Sequence, residues 1–143
     1  MRIGDNTVFG RHNTVQSYLD VEIGGKGIIA DWIYICDFDH VFADIDRPIT
    51  EQGIVKSPVR IGPDVWIGTK VSVLRGTTVG HGCVLAANSV VRGNVPPMSV
   101  MGGVPARLLK DRVGEYRAAE QQRIDVADIA RKTAKAAKEH AGR

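Results

Sequence analysis

The chain has 143 residues, of which 43% are hydrophobic and 24% are charged, and this composition predicts one globular domain. The formal net charge of +3 is concentrated in residues 103–143, which hold 10 Lys and Arg residues against 6 Asp and Glu residues. This basic end could attract nucleic acid or anionic lipid, but we interpret it as a solvated helical face and expect no nucleic-acid partner. Only two cysteines occur, and no apolar run reaches the ~18 residues of a membrane helix. We therefore expect a cytoplasmic protein without a disulfide framework or a membrane span.

A period of six residues organises the sequence between Val55 and Val95. Aliphatic residues open seven successive units, and a small or β-branched residue stands at the fifth place of each unit. The openers are Val55, Ile61, Ile67, Val73, Val79, Leu85 and Val91, and the fifth residues are Val59, Val65, Val71, Thr77, Cys83, Ser89 and Val95. A fixed period this short predicts a repeat architecture.

Three six-residue units make one block, and four such blocks can be read along the chain: 3–20, 23–40, 55–72 and 73–90. We predict that each block forms one triangular coil, with the opener and the fifth residue of every unit pointing inward. One coil cannot bury its own apolar face, so the coils should gain stability by stacking. A dinucleotide-binding fold is disfavoured because no helical pattern separates the strands, and glycines such as Gly24 are interpreted as corner residues.

The period breaks at residues 41–54, which carry acidic residues, a proline and a glycine. We predict that this segment leaves the prism as an external loop on the functional face. Pro96 and Pro97 cannot extend a central strand. After them we expect an extended segment, a proline-initiated turn into helix and a helix over 111–141. The predicted domains are therefore a β-helix at 1–102 and a helical segment at 103–143.

The segments IYICDFDH, DRPITEQG, VRIGPDVWIG, LAANSVV and VPPMSVMGGVPARLLK resemble those of the hexapeptide-repeat acyltransferases. Within that superfamily, the chain is most similar to galactoside and maltose acetyltransferases and to polysaccharide O-acetyltransferases. The resemblance implies a mainly β fold, a left-handed parallel β-helix of about four coils, in addition to the loop and the C-terminal α-helix. It also implies a homotrimer that transfers an acetyl group from acetyl-CoA to a hydroxyl of a sugar or related small molecule.

The resemblance implies that His40 is the catalytic residue, because family members place a histidine at this point of the loop. An imidazole can remove a proton from an acceptor hydroxyl as a general base. We expect the carboxylate of Asp37 or Asp39 to orient the ring. The family resemblance also places an oxyanion-stabilising backbone N–H near Thr69, and it assigns pantetheine contacts to Thr69 and Ala87.

Basic residues are needed for the phosphates of the cofactor, and the resemblance assigns Arg107 and Lys110 to them. Gly93 occupies a position that is often basic in the sugar enzymes, so we expect Arg92 to supply that charge. The cofactor-binding candidates at this position are therefore Arg92 and Gly93. Contacts to the acceptor are assigned to Asn13, Asp20, Asp39 and Trp66. Cys83 is interpreted as a core residue, and no metal site is predicted.

Two other functions remain open at this stage. A metal enzyme on the same fold, such as a γ-type carbonic anhydrase, needs three converging histidines, whereas His12, His40 and His81 are far apart in sequence. A catalytically silent β-helix could instead bind a partner or act as a scaffold. The histidine at position 40 and the VPAR segment argue against this alternative.

Overall fold

A computed structural model describes the backbone of residues 1–141 and the side chains of residues 1–138. It contains seventeen strands and one long helix in that range. The strands are β1 Arg2–Ile3, β2 Val8–Phe9, β3 Thr14–Gln16, β4 Val21–Ile23, β5 Ile28–Ile29, β6 Tyr34–Cys36, β7 Phe38–His40, β8 Ile54–Lys56, β9 Val59–Ile61, β10 Trp66–Ile67, β11 Ser72–Val73, β12 Thr78–Val79, β13 Val84–Leu85, β14 Val90–Val91, β15 Asn94–Val95, β16 Ser99–Gly103 and β17 Ala106–Asp111, and the helix is α1 Arg112–Ala141.

The strands stack into a three-sided parallel β-helix. Sheet I has the order β1-β4-β9-β12-β15, sheet II has the order β17-β16-β13-β10-β5-β2, and sheet III has the order β14-β11-β6-β3. Every pair within these sheets is parallel except β16–β17. The register places successive openers over one another, for example Ile29, Ile67 and Leu85 in sheet II. The predicted β-helix fold is therefore confirmed.

The interior contains the two sets of stacked side chains that the six-residue period predicts, the openers and the fifth residues. Openers from the second to the fourth coil are almost fully buried, as are all seven of the predicted fifth residues. The buried fifth residues are Val59, Val65, Val71, Thr77, Cys83, Ser89 and Val95. The hydroxyl groups of Thr77 and Ser89 donate to the backbone carbonyls of Leu74 and Ala86, so their burial leaves no polar atom unsatisfied.

The number and the frame of the coils differ from the prediction. Val55 was predicted to open the third coil, but it lies in β8, pairs with Asp39 and is 39% exposed. The third coil instead opens at Ile61, which stacks on Ile23. A fifth, incomplete coil follows the fourth, with Val95 in sheet I and Met101 in sheet II. The β-helix therefore has about five coils rather than four.

The insertion between the second and third coils is an antiparallel hairpin rather than a simple loop. Strands β7 and β8 pair with one another, and His40 is opposite Ile54. A short 3-10 helix, Ile49–Glu51, lies between the two strands. The segment that was predicted to leave the prism, 41–54, is therefore longer in the structure. Its two strands are residues 38–40 and 54–56.

The first coil differs from the others in exposure. Its inward-pointing Ile3 and Phe9 are 45% and 37% exposed, whereas Ile23 and Ile29, one coil further on, are buried. The openers of the first coil pack against the second coil on one side only. Burial in this fold therefore depends on having a neighbouring coil on each side.

The C-terminal part of the chain contains one more strand than predicted. The segment after Pro105 was expected to turn into helix, but Ala106–Asp111 forms β17, which pairs antiparallel with β16. Helix α1 then covers Arg112–Ala141, as expected for 111–141. The last two residues of the predicted segment 103–143 lie outside the described residues. Among the described residues, no helix is long and apolar enough to cross a membrane.

Candidate active site

His40 is the last residue of β7 and is presented on the hairpin. Its imidazole is exposed and makes no hydrogen bond with any residue that the structure describes. The ring centroid of His40 lies 6.1 Å from that of Phe38, with an interplanar angle of 81°, and Phe38 in turn packs edge-on against Tyr18. The His40 ring thus packs against one aromatic neighbour, Phe38, and its exposed imidazole is accessible to a substrate.

Asp37 is fully buried and serves the backbone rather than His40. Its carboxylate accepts hydrogen bonds from the backbone N–H groups of Tyr18 at 2.8 Å, Leu19 at 2.8 Å and Asp20 at 2.7 Å. Burial by itself would raise the pKa of this carboxyl, but the three N–H groups and the Ser17 hydroxyl outweigh burial and lower the pKa. Asp37 therefore fixes the chain where it passes from the first coil to the second.

Asp39 is engaged by a residue that the sequence analysis did not identify. Its Oδ2 atom lies 2.6 Å from Nε of Arg75, which belongs to the third coil. Neither Asp39 nor Asp37 donates to or accepts from the His40 ring in the described structure, so the expected carboxylate–imidazole contact is not formed. Arg75 occupies the place in the third coil that Gly93 occupies in the fourth, and this correspondence could have identified it.

An open cleft of about 400 Å³ lies where sheet III turns into sheet I. Asp39 and Arg75 line it together with Arg92 and Gly93 from the fourth coil. No described acidic side chain pairs with Arg92. The cleft therefore has one guanidinium group without an acidic partner, that of Arg92, in the coil next to that of Arg75.

A second cleft, of about 430 Å³, lies where sheet II turns into sheet III. It is mainly apolar and is lined by residues of the second to fourth coils, several of which are alanine or glycine. The lining residues are Ala30, Trp66, Gly68, Thr69, Val84, Leu85, Ala86 and Ala87. Three of the predicted site residues, Trp66, Thr69 and Ala87, are thus brought together, and the small neighbours Ala30 and Gly68 were missed.

The backbone of the second cleft offers hydrogen-bond donors. Thr69 and Ala87 occupy equivalent places on adjacent coils, and neither backbone N–H has a partner among the described residues. The neighbouring N–H groups do have partners: that of Gly68 donates to Leu85 O at 2.8 Å and that of Asn88 donates to Thr69 O at 2.9 Å. Exposed, unpaired N–H groups can bind a carbonyl oxygen or an amide of a ligand.

The first two acceptor candidates have structural partners. The side chain of Asn13 donates to Gly10 O at 3.2 Å and accepts from the backbone N–H of Ile33 at 2.8 Å. Asp20 forms ion pairs with Arg2 and Arg60 on sheet I, and the Arg2 hydrogen bond is the main cause that lowers the pKa of Asp20. Their predicted contacts with an acceptor remain untested predictions.

Arg107 and Lys110 lie in β17, at the edge of sheet II. Arg107 is exposed and donates to the carbonyl of its neighbour Ala106 at 3.1 Å, and Lys110 pairs with Val100 of β16. Cys83 is buried, forms no disulfide and donates its thiol to Pro96 O at 3.0 Å, as expected of a core residue. No group of three or more His, Cys, Asp or Glu side chains suited to a metal ion occurs in the described part of the chain.

Comparison with known proteins places these features in a family. The family described as "Bacterial transferase hexapeptide (six repeats)" matches residues 58–93. The probable acetyltransferase Rv3034c of Mycobacterium tuberculosis is 55% identical over 138 residues, which cover 94% of this chain and 46% of that protein. The putative lipopolysaccharide biosynthesis O-acetyl transferase WbbJ of Escherichia coli is 37% identical over 113 residues, with coverages of 74% and 58%. The chain spans about half the length of the curated relatives it matches.

Solved structures give the same result. A galactoside acetyltransferase in complex with coenzyme A matches with a TM-score of 0.64 and 27% identity over 78% of this chain and 59% of that one. The repeat of six residues, the three-sided parallel β-helix and the sequence relatives agree with one another. Residues 58–93 therefore belong to the hexapeptide-repeat family of bacterial transferases, and the chain as a whole is similar to acetyltransferases.

Proposed function

We propose that this protein is a CoA-dependent O-acetyltransferase that moves an acetyl group from acetyl-CoA to a hydroxyl of a saccharide. The observation that carries the proposal is the second cleft, in which the unpaired N–H groups of Thr69 and Ala87 lie one coil apart among small side chains. An extended pantetheine arm presents amide groups that such a backbone can bind. Family relatives named as O-acetyltransferases of galactosides and lipopolysaccharide support the acetyl donor and the saccharide acceptor.

In the proposed mechanism, His40 acts as the general base. Its imidazole takes the proton from the acceptor hydroxyl while the oxygen attacks the thioester carbonyl carbon of acetyl-CoA. The backbone N–H of Thr69 donates to the carbonyl oxygen, on which negative charge develops. Collapse of the tetrahedral intermediate breaks the C–S bond, and the imidazolium returns its proton to the departing CoA thiolate. No covalent acyl-enzyme is needed.

The phosphates of acetyl-CoA require cationic side chains. Arg92 is suited to this role because it has no acidic partner among the described residues and lies at an open cleft. Arg107 and Lys110 are the other two candidates, at the edge of sheet II. We also propose a cytoplasmic location, since the buried Cys36 and Cys83 form no disulfide and acetyl-CoA is a cytoplasmic metabolite.

The proposed assembly is a homotrimer. His40 and Arg92 lie at the corner between sheets III and I, whereas Thr69 and Ala87 lie at the corner between sheets II and III. A threefold arrangement would place the first corner of one copy against the second corner of its neighbour. The outward ladder Val8, Ile28 and Trp66 on sheet II is more than half exposed and offers an apolar surface for such a contact.

The central test is the variant His40→Ala. We expect its kcat to fall by about 10²–10⁴-fold because the general base is missing, while its affinity for acetyl-CoA is unchanged. Turnover is measured as CoA thiol release, and acetyl-CoA binding is measured by titration calorimetry. His81→Ala is the matched control, because His81 is an exposed histidine outside both clefts, and it should retain full activity. Full turnover in His40→Ala would refute the mechanism.

The acceptor is identified by a screen. Purified protein and acetyl-CoA are incubated with a panel of galactosides, maltose, amino sugars and non-saccharide alcohols, and CoA release is recorded. We expect turnover with at least one saccharide and little with simple alcohols. Turnover confined to non-saccharide acceptors would contradict the saccharide assignment and leave acetyl transfer in place.

A further inference from the structure

The hairpin that carries His40 is joined to the third coil by one side chain, that of Arg75. Asp39 lies on the outgoing arm of the hairpin, in β7, and Ser57 directly follows the returning arm, β8. The Nε atom of Arg75 lies 2.6 Å from Oδ2 of Asp39, and its Nη1 atom lies 3.4 Å from Oγ of Ser57. The guanidinium group therefore bridges both arms.

The backbone around this bridge is tightly packed. The N–H of Ser57 donates to Asp37 O at 2.9 Å, and the N–H of Gly76 donates to Ser57 O at 3.2 Å. Gly76 has a φ of +72°, and a Cβ atom at this position would lie 3.3 Å from the Ser57 Cβ. The position of the Arg75 main chain is thus set by the base of the hairpin.

The pair between Arg75 and Asp39 is too exposed to be explained by stability. The side chains are 34% and 47% exposed, and ion pairs at such sites contribute little to the free energy of unfolding. The pair is geometrically specific, because a guanidinium group presents several donors in a fixed plane. Because this specific contact adds little to stability, we interpret it as a contact that orients Asp39.

Orientation of Asp39 determines the direction of His40. Side chains alternate along a strand, so Phe38 and His40 share one face of β7 and Asp39 points from the other. The ring contact between Phe38 and His40 agrees with this arrangement. When Arg75 holds the Asp39 carboxylate against the third coil, the His40 ring lies on the opposite face of β7, beside Phe38, where it is exposed.

We propose that Arg75 is a positioning residue for acetyl transfer: it binds Asp39 and Ser57 and thereby holds the His40 hairpin in its catalytic orientation. This inference rests on the proposed role of His40 as general base. Arg75 acts through Asp39 and makes no contact with the reacting atoms, so it is not a catalytic residue. It should therefore affect kcat and leave the binding of acetyl-CoA unchanged.

The test combines kinetics with a measurement that does not depend on activity. In Arg75→Ala we expect kcat to fall by about tenfold or more, with the KM and the calorimetric Kd for acetyl-CoA unchanged. Hydrogen–deuterium exchange of the amides of residues 38–56 should become faster, while exchange in the fourth coil stays the same. Arg11→Ala is the matched control, because it removes an exposed arginine that lines neither cleft, and it should leave both kcat and the exchange of residues 38–56 unchanged.

A double-mutant cycle tests whether Arg75 and Asp39 act through their mutual contact. Arg75→Ala combined with Asp39→Ala should be no slower than the slower single variant, since both changes remove one interaction. Arg75→Lys should restore activity only partly, because an ammonium group lacks the planar fork. Multiplicative losses of kcat in the double variant would overturn the proposal.

Other outcomes separate this inference from the proposed function. Unchanged exchange of residues 38–56 and unchanged kcat in Arg75→Ala would overturn the positioning role even if His40→Ala is inactive. Weaker binding of acetyl-CoA in Arg75→Ala would also overturn it, because Arg75 would then be a contact of the donor. Faster hairpin exchange in Arg75→Ala together with a fully active His40→Ala would show that the hairpin is anchored as described and that the general-base mechanism has failed.

Discussion

At the scale of single residues, the buried carboxylate of Asp37 organises the backbone next to the His40 hairpin. Asp37 is one position from the hairpin, and its carboxylate is surrounded by three backbone N–H groups and the Ser17 hydroxyl. An isolated buried carboxylate would be costly, but here both oxygens accept hydrogen bonds, one at Oδ1 and three at Oδ2. Residues 17–20, which lead from the first coil to the second, are thus stabilised by the residue that directly precedes the His40 hairpin.

This arrangement predicts a specific dependence of stability on pH. The folded-state pKa of Asp37 is lower than the unfolded value of about 3.9, so its contribution is present above about pH 4 and is lost as the pH falls through the folded-state pKa. In Asp37→Asn the amide directs N–H groups at N–H donors, and we expect a loss of about 1–3 kcal/mol at pH 7. Stability should then fall less on acidification than in the wild type.

Urea denaturation at pH 7, 4 and 2.5 measures this effect. Asp5→Asn is the matched control, since the Asp5 side chain makes no hydrogen bond among the described residues, and its pH dependence should follow that of the wild type. A pH dependence of Asp37→Asn equal to that of the wild type would contradict the role given to this carboxylate.

At the scale of the elements, the spacing between coils is set by close backbone approach at the second cleft. A Cβ atom on Gly68 would lie 2.7 Å from the backbone nitrogen of Ala87 and 2.9 Å from the carbonyl oxygen of Leu85. These are main-chain atoms, which cannot rotate away. Glycine is therefore required next to Thr69, and residue 68 places no side chain in the second cleft.

Gly68→Ala should consequently lower the free energy of unfolding by about 1–3 kcal/mol, because the third and fourth coils must separate locally. Gly27→Ala is the matched control in the second coil. The nearest atoms to a Cβ at Gly27 would be the Thr7 methyl group at 3.3 Å and Val65 O at 3.4 Å, so we expect a smaller loss. Thermal unfolding followed by circular dichroism compares the two variants, and equal melting temperatures would count against the close-approach explanation.

The sequence predicted the elements of the prism well because its burial pattern is local and periodic. It did not predict the frame of the coils, since Val55 fits the period and only its pairing with Asp39 removes it from the core. It also misassigned Ala106–Asp111, because Ala, Arg, Leu and Lys favour helix by intrinsic propensity and the available edge of β16 prevailed. The contact of Arg75 with Asp39 joins different coils, and a pattern within one unit contains no information about it.

For the whole molecule, the question is how many copies of the chain contribute residues to one site. The candidate residues lie at two corners of one chain, and the proposed trimer brings them together between neighbours. This arrangement can be tested with two inactive variants. His40→Ala lacks the proposed general base, and Ala87→Trp fills the second cleft.

Co-expression of these two variants should restore activity. In randomly mixed trimers, about one site in four combines an intact His40 with an intact cleft, so we expect roughly a quarter of the wild-type activity. Each variant expressed alone is the control and should be inactive, and light scattering should give the mass of three chains. No recovery in mixed trimers would indicate that each chain contains a complete site.

The hairpin between the second and third coils has a consequence for how this fold can diversify. The sheets remain in register across it, because Ile23 stacks on Ile61 although the whole hairpin lies between them in the sequence. The entropy of closing a loop rises only slowly with its length, by about 0.6 kcal/mol for each doubling. Insertions and deletions in this segment therefore leave the stacked core residues intact, so the surroundings of His40 can change in evolution while the second cleft stays the same.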